Sequence, residues 1–144
     1  MKLGEYDFPG DLYYDKGHSW VKIEDSGTVR VGMNDFFQQS AGEIVSVDLP
    51  FEGDDVQRGE TCGKIQSGKW VQKLASPLTG TITNVNTGLE EDSSPINRDP
   101  YGEGWIMVLE PSNLDEELRE LMRADSVEPW LKEEIERAEK AKKP

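Results

Sequence analysis

A primary amine is the reactive group whose surroundings set it apart in this sequence. The segment Cys62-Gly63-Lys64-Ile65-Gln66-Ser67-Gly68-Lys69-Trp70-Val71-Gln72-Lys73-Leu74 reads as a strand, a tight turn and a returning strand. Ile65 precedes the Ser67-Gly68 turn signal, Val71 follows it, and Lys69 falls at or beside the tip. An amine on an exposed, stiff reversal has little steric cover and a firm base. Those properties suit a lysine that another enzyme acylates and that then carries a long extension. Lys64 and Lys73 compete for that role, and most lysines in turns are only solvated charges. From Thr61 through Leu89 the chain has no Asp or Glu, although it holds 29 of them. Lys64, Lys69 and Lys73 make this window a +3 island. A docking face, a site for anionic cargo and a plain Thr/Gln/Ser/Lys strand face all fit that pattern.

Other chemistries lack their residues. With His18 and Cys62 as the one His and one Cys, an internal disulfide is impossible and a His/Cys metal cluster is excluded. No G-x-S-x-G, Walker or dinucleotide glycine pattern occurs, and Glu90-Glu91-Asp92 reads as a solvated run in a loop. The chain is therefore expected not to be an enzyme. A net charge of −13 over 144 residues repels phosphate backbones, which argues against nucleic acid as a partner. No apolar run approaches the roughly 18 residues that span a bilayer. Met1-Lys2-Leu3-Gly4-Glu5-Tyr6-Asp7 contains no signal-like apolar stretch, and the lone thiol fits a reducing compartment. A cytoplasmic location is the expectation. Cys62 reads as an inert strand thiol. His18 is either a hydrogen-bonded structural residue or part of a groove beside the amine. Trp70 is either an apolar landing surface or a cross-strand packing residue. Tyr101 and Trp105 read as turn and core anchors.

The elements that must hold Lys69 are mostly strands. Residues 1–111 carry short β-branched and aromatic runs broken by turn signals, a β domain. Residues 112–144 lack glycine and read as a helical segment packed on it. Val21 and Ile23 share one strand face, Asp25-Ser26-Gly27 turns the chain, and Val29 and Val31 repeat the inward face. Asn34 is placed to cap a short helix over Asp35–Ser40, with Phe36 and Phe37 sealing one end of a barrel. G-x-I-x-x-V occurs at Gly42–Val47 and again at Gly80–Val85, and Gly53, Gly59 and Gly63 suggest tight reversals between the copies. Ser112-Asn113 offers a cap to a helix whose stripe is Leu114, Leu118, Leu121 and Met122. A second helix starts around Ser126–Pro129, with the stripe Val127, Leu131, Ile135 and Ala138 and a basic tip of Lys140, Lys142 and Lys143.

Several ordered segments resemble the H-protein family of the glycine cleavage system, over most of residues 12 to 125. They are His18-Ser19-Trp20, Val31-Gly32, Val47-Asp48-Leu49-Pro50, the Lys69 hairpin, Ser76-Pro77-Leu78-Thr79-Gly80 and Val85-Asn86. Asn97-Arg98-Asp99-Pro100-Tyr101-Gly102-Glu103-Gly104-Trp105, an N-x-x-P-Y-x-x-G-W pattern, is the most specific of them. The resemblance implies a mainly β fold, a flattened barrel or barrel-sandwich hybrid of lipoyl-domain type with C-terminal α-helices. It also implies lipoate in amide linkage on the lysine eight residues before Pro77, which is Lys69 rather than Lys64 or Lys73. Ser67, Trp70 and His18 would then be contacts for the arm or for partners. The implied role is a non-catalytic shuttle whose swinging arm carries a bound group between enzymes. The implied partners are a lipoate-protein ligase or octanoyl/lipoyl transferase, dihydrolipoamide dehydrogenase, glycine decarboxylase and aminomethyltransferase.

The hairpin departs from that family. Its members usually show an acid, Ser, Val, the lysine and then small residues, where this chain has Gln66, Ser67, Gly68, Lys69 and Trp70. Near Asn34 the family usually has a Thr and an Ala-Gln pair, against Phe36-Phe37-Gln38-Gln39 here. A second reading is therefore an H-like lipoate-binding protein that carries sulfane sulfur for heterodisulfide-reductase-like sulfur-oxidation enzymes. A biotin carrier fits less well, because that family usually flanks its lysine with Met. An unmodified interaction module is the remaining alternative.

Overall fold

Strands begin with β1 (Lys2–Leu3), β2 (Tyr6–Asp7), β3 (Tyr13–Tyr14), β4 (Ser19–Ile23) and β5 (Val29–Met33), before helix α1 (Asp35–Ala41). Then come β6 (Ile44–Asp48), β7 (Asp55–Val56), β8 (Thr61–Ser67), β9 (Val71–Ala75) and β10 (Gly80–Val85). Two one-turn helices, α2 (Gly88–Glu91) and α3 (Pro95–Arg98), precede β11 (Met107–Pro111). The last elements are α4 (Leu114–Glu117), β12 (Met122–Arg123) and α5 (Glu128–Lys142). The computed structural model describes residues 2–142, with side chains as far as Ala138; of the basic tip, Lys143 and the side chains of Lys140 and Lys142 lie outside the described residues.

Two sheets enclose the main core. One has the order β12-β3-β4-β5-β11-β10-β7 and the other β6-β8-β9, while β1 and β2 form a separate pair. Val21, Val31, Ile82 and Leu109 of the larger sheet meet Ile44, Val47, Ile65 and Leu74 of the smaller one. This is a mainly β barrel-sandwich with helices at its C-terminal end, the expected fold.

In the β4–β5 hairpin Val21 faces Val31 and Ile23 faces Val29, and Gly27 takes the left-handed turn position at φ 91°. Val21, Val29 and Val31 are fully buried, but Ile23 is 40% exposed, against expectation. Ile23 is the last residue before the loop. On the opposite strand face Lys22 is exposed, but Trp20 is completely buried in a second core with Phe8, Tyr14, Ala124 and Val127. Gly32 makes that possible: it pairs with Trp20, and a Cβ there would meet the indole at 2.7 Å. Asn34 caps α1 as expected, its Oδ1 accepting from Phe37 N–H at 2.7 Å. Phe36 and Phe37 divide between the two cores.

Three local expectations need correction. Gly63 is not at a reversal but inside β8, where a Cβ would collide with the carbonyl oxygen of Asp48. Gly53 and Gly59 do sit at reversals, with φ of 93° and 87°. The first C-terminal helix stops early, running through α4 and a 3-10 turn at Leu118–Glu120 before β12 pairs with β3. Leu121 enters the first core while Met122 packs against the second. Consecutive side chains facing opposite ways require strand geometry, and that overrides the helical spacing. The cap at its start also differs, since Asn113 makes no side-chain capping bond. The second helix is α5, and its Leu131 side is buried.

Candidate functional site

The β8–β9 hairpin turns over Gly68 and Lys69. Ser67 N–H donates to Trp70 O at 3.0 Å. The buried Ser67 Oγ accepts from the N–H groups of both Lys69 and Trp70 at 3.2 Å. The turn is thus organised by the Ser67 side chain. Gly68 is exposed and a Cβ on it would meet nothing within 4 Å.

Lys69 stands exposed at the tip and takes part in none of the ion pairs among the described residues. Its Nζ approaches the carbonyl oxygen of Ser40 at 3.5 Å, at the end of α1. Its stem passes Gly42, whose left-handed φ of 77° ends that helix. Lys64 and Lys73 lie elsewhere, paired across β8 and β9 on the open face of the sheet. The island is acid-free only along the sequence. Asp48 of β6 brings a carboxylate 3.4 Å from Lys64 Nζ, so the cationic patch is narrower than three lysines.

A cavity of about 370 Å³ opens beside the tip. Trp70, Phe36, Phe37, His18, Glu134 and Arg137 line it, joining the hairpin to α1 and α5. Trp70 is 41% exposed. His18 Nε2 lies 3.1 Å from Glu134 Oε1, and Arg137 Nη1 lies 2.9 Å from Glu134 Oε2. The imidazole also stacks at 5.9 Å on Phe36 and lies 5.5 Å from Trp130. Burial, reinforced by Arg137 and opposed by Asp15, lowers the His18 pKa to about 4. Its Nδ1 is buried with no hydrogen-bond partner among the described residues, so a proton there would be an orphaned donor. His18 is therefore the neutral Nε2–H tautomer, donating to Glu134. The cavity is an apolar slot with one internally balanced polar corner.

The other candidates separate from this site. Cys62 is half-buried, and its thiol donates to Leu74 O at 3.5 Å. Burial and Glu60 raise its pKa to about 11, which keeps it protonated and unreactive near neutrality. Tyr101 is a turn anchor: its hydroxyl donates to Asp7 O at 2.6 Å and accepts from Asp35 N–H at 2.8 Å. Trp105 is half-buried, with the Arg30 guanidinium 5.2 Å from its ring centre. Ser40, Glu134 and Arg137 carry no signal in the sequence, because only the folded chain brings Ser40 to Lys69 and the other two to the cavity beside Trp70. No group of three or more potential metal ligands occurs among the described residues, and no described helix is long and apolar enough to cross a membrane.

An exposed amine beside an apolar slot fits a lysine that carries an acyl chain. Lipoate has an aliphatic stem and a dithiolane end, and a cavity walled by Trp70, Phe36 and Phe37 matches both. Residues 12–134 match the model of the glycine cleavage H-protein family. A probable glycine cleavage system H protein of Thermococcus gammatolerans is 43% identical over 131 residues, which cover 91% of this chain and 97% of that protein. A glycine cleavage system H protein of Xylella fastidiosa strain M12 is 44% identical over 119 residues, covering 83% and 90%. The crystal structure of a glycine cleavage system H protein from Mycobacterium marinum superimposes with a TM-score of 0.74 at 36% identity, covering 82% of this chain and 94% of that one. The chain belongs to the glycine cleavage H-protein family, whose members are non-catalytic carriers of covalently bound lipoate.

Proposed function

We propose that Lys69 is the lipoylated residue and that the protein shuttles a bound group between the enzymes of glycine cleavage. The observation that carries this reading is the isolation of the Lys69 amine at a rigid tip, 3.5 Å from one carbonyl and beside the cavity. When bound, the lipoyl group supplies a dithiolane that accepts a transferable group as it is reduced, and a dithiol that is later reoxidised. The chain's own residues position and shelter. Ser67 holds the tip through two N–H groups, so that Lys69 projects from a fixed base. Ser40 O accepts a hydrogen bond from Nζ. Trp70, Phe36 and Phe37 offer an apolar wall, and the His18–Glu134–Arg137 corner leaves no lone charge facing it. Tethering on a short, stiff hairpin keeps the carried group at high effective concentration near whichever enzyme docks.

The partners in this reading are a lipoate-protein ligase or octanoyl/lipoyl transferase, glycine decarboxylase, aminomethyltransferase and dihydrolipoamide dehydrogenase. Incubation with lipoate, ATP and lipoate-protein ligase, followed by intact and peptide mass, tests the attachment point. A single lipoyl increment on the Lys69 peptide is expected, lost in Lys69→Arg and kept in Lys64→Arg and Lys73→Arg. No increment on that peptide with a competent ligase, or a biotinyl increment when biotin and a biotin ligase are supplied instead, overturns the assignment. Adding glycine decarboxylase and glycine then tests the pathway. Failure of the lipoylated protein to be loaded would favour the sulfur-carrier reading.

A further inference from the structure

Asn97 opens the N-x-x-P-Y-x-x-G-W pattern, yet it contributes nothing to the cavity lining and no charge. Both ends of its amide are nonetheless engaged. Oδ1 accepts from Ile44 N–H at 2.9 Å, while Nδ2 donates to Gly42 O at 2.8 Å and to Gln38 Oε1 at 3.2 Å. One side chain of α3 therefore grips both sides of the left-handed reversal at Gly42, between α1 and β6. Ser93 Oγ completes the grip, donating to Ile44 O at 2.8 Å. The ledge held in this way, Ser40 to Gly42, is the surface on which Lys69 lies: Nζ reaches Ser40 O, and Cε passes over Gly42. Ser40 O is among the last carbonyls of a seven-residue helix, which have no partner inside the helix.

Acylation changes what the nitrogen can do. An ammonium has three donors and a charge, whereas the amide formed on it is neutral and keeps one N–H. A modified Lys69 therefore has one donor with which to fix the direction of its attached chain, and Ser40 O is the acceptor within reach. We propose that Asn97 is a positioning residue for the lipoyl arm. By clamping Gly42 it holds the Ser40 carbonyl where the Nζ–H of acylated Lys69 can bind it, and so aims the root of the arm at the cavity.

This inference rests on lipoylation of Lys69, and its test separates the two. Full-length protein labelled with nitrogen-15 at the lysine Nζ is lipoylated, and peptide mass confirms the modified position. Solvent exchange of the Nζ amide proton is then measured by NMR in the folded and urea-unfolded chain. In the wild type, exchange is expected to slow on folding by about fivefold, the effect of one net hydrogen bond. Asn97→Ala should lose most of that protection. Asn97→Asp keeps the Ile44 bond, and with it more of the fold, but cannot donate to Gly42, and it should lose protection too. Thr79→Val removes a remote 2.6 Å bond to Glu117 and serves as a stability control; it should lower the melting temperature and leave the exchange unchanged. Equal exchange in folded and unfolded wild type, or wild-type protection in both Asn97 variants, overturns the inference. So does equal loss of protection in Thr79→Val. Absence of a lipoyl increment at residue 69 overturns the attachment assignment first, and this inference with it.

Discussion

His18 and Glu134 meet at 3.1 Å, tying the turn before β4 to the middle of α5. Neutral His18 donates its Nε2–H to a carboxylate that Arg137 already shares. Because burial lowers the folded pKa to about 4 from 6.5, the unfolded chain binds more protons between those values. Stability from this group is therefore complete above about pH 6.5 and falls as the solution is acidified, by about 2 kcal/mol at pH 5 and about 3 kcal/mol at pH 4. Urea denaturation from pH 7 to pH 5 should show the decline. His18→Asn, which tolerates the left-handed φ of 76°, should flatten it. An unchanged slope in the variant would assign the acid sensitivity to the carboxylates.

The Ser67 hydroxyl is the local organiser of the tip, accepting from two successive N–H groups. Ser67→Ala is expected to cost about 0.5–1.5 kcal/mol, because those groups can turn to water. The larger effect should fall on recognition, with kcat/KM for the ligase dropping by about tenfold as the amine loses its fixed base. Lipoylation at the wild-type rate with lowered stability would show that the turn is a passive support.

Which parts of this arrangement could be read from the sequence follows from range. The Lys69 hairpin and the β4–β5 hairpin are each encoded within about fifteen residues by alternation and turn chemistry, and apart from the exposed Ile23 both stand where the pattern puts them. The strand at Met122–Arg123 was hidden, because Leu121 and Met122 also satisfy helical spacing until two separate cores pull them apart. Glu134 and Arg137 carry no local signal, and the Val47-Asp48-Leu49-Pro50 segment gives no sign that Asp48 meets Lys64. Their roles come from α5 folding back over the His18 turn and from β6 pairing beside Lys64. Asn97 lay in the most specific motif, but its task depends on a backbone reversal that no side-chain pattern announces.

Cys62 offers a test of the inert-thiol assignment. With its pKa raised to about 11 from 9.0, the thiolate fraction at neutral pH is lowered by about 100-fold relative to an unperturbed thiol. Iodoacetamide should label the folded protein at least that much more slowly than the urea-unfolded chain. Cys62→Ser should be lipoylated and loaded like the wild type. Rapid labelling of the folded chain, or lost loading in the variant, would give this thiol a part in transfer.

Trp70 decides whether the cavity shelters the arm. The indole is 41% exposed and forms one wall of the slot next to Lys69, so it contributes little to the folded core. Trp70→Ala should therefore change stability by less than about 1 kcal/mol. A dithiolane resting against the indole gains a sulfur–aromatic contact and is screened from bulky reductants. Removing that wall should speed phosphine reduction of the lipoylated protein by roughly twofold to fivefold, the weight of such a contact. The same contact predicts that lipoylation dims the tryptophan emission of the wild type and dims that of Trp70→Ala less, although Trp20, Trp105 and Trp130 remain. Identical reduction rates and identical dimming in the two proteins would mean that the arm rests elsewhere. The apolar slot would then serve a docking partner.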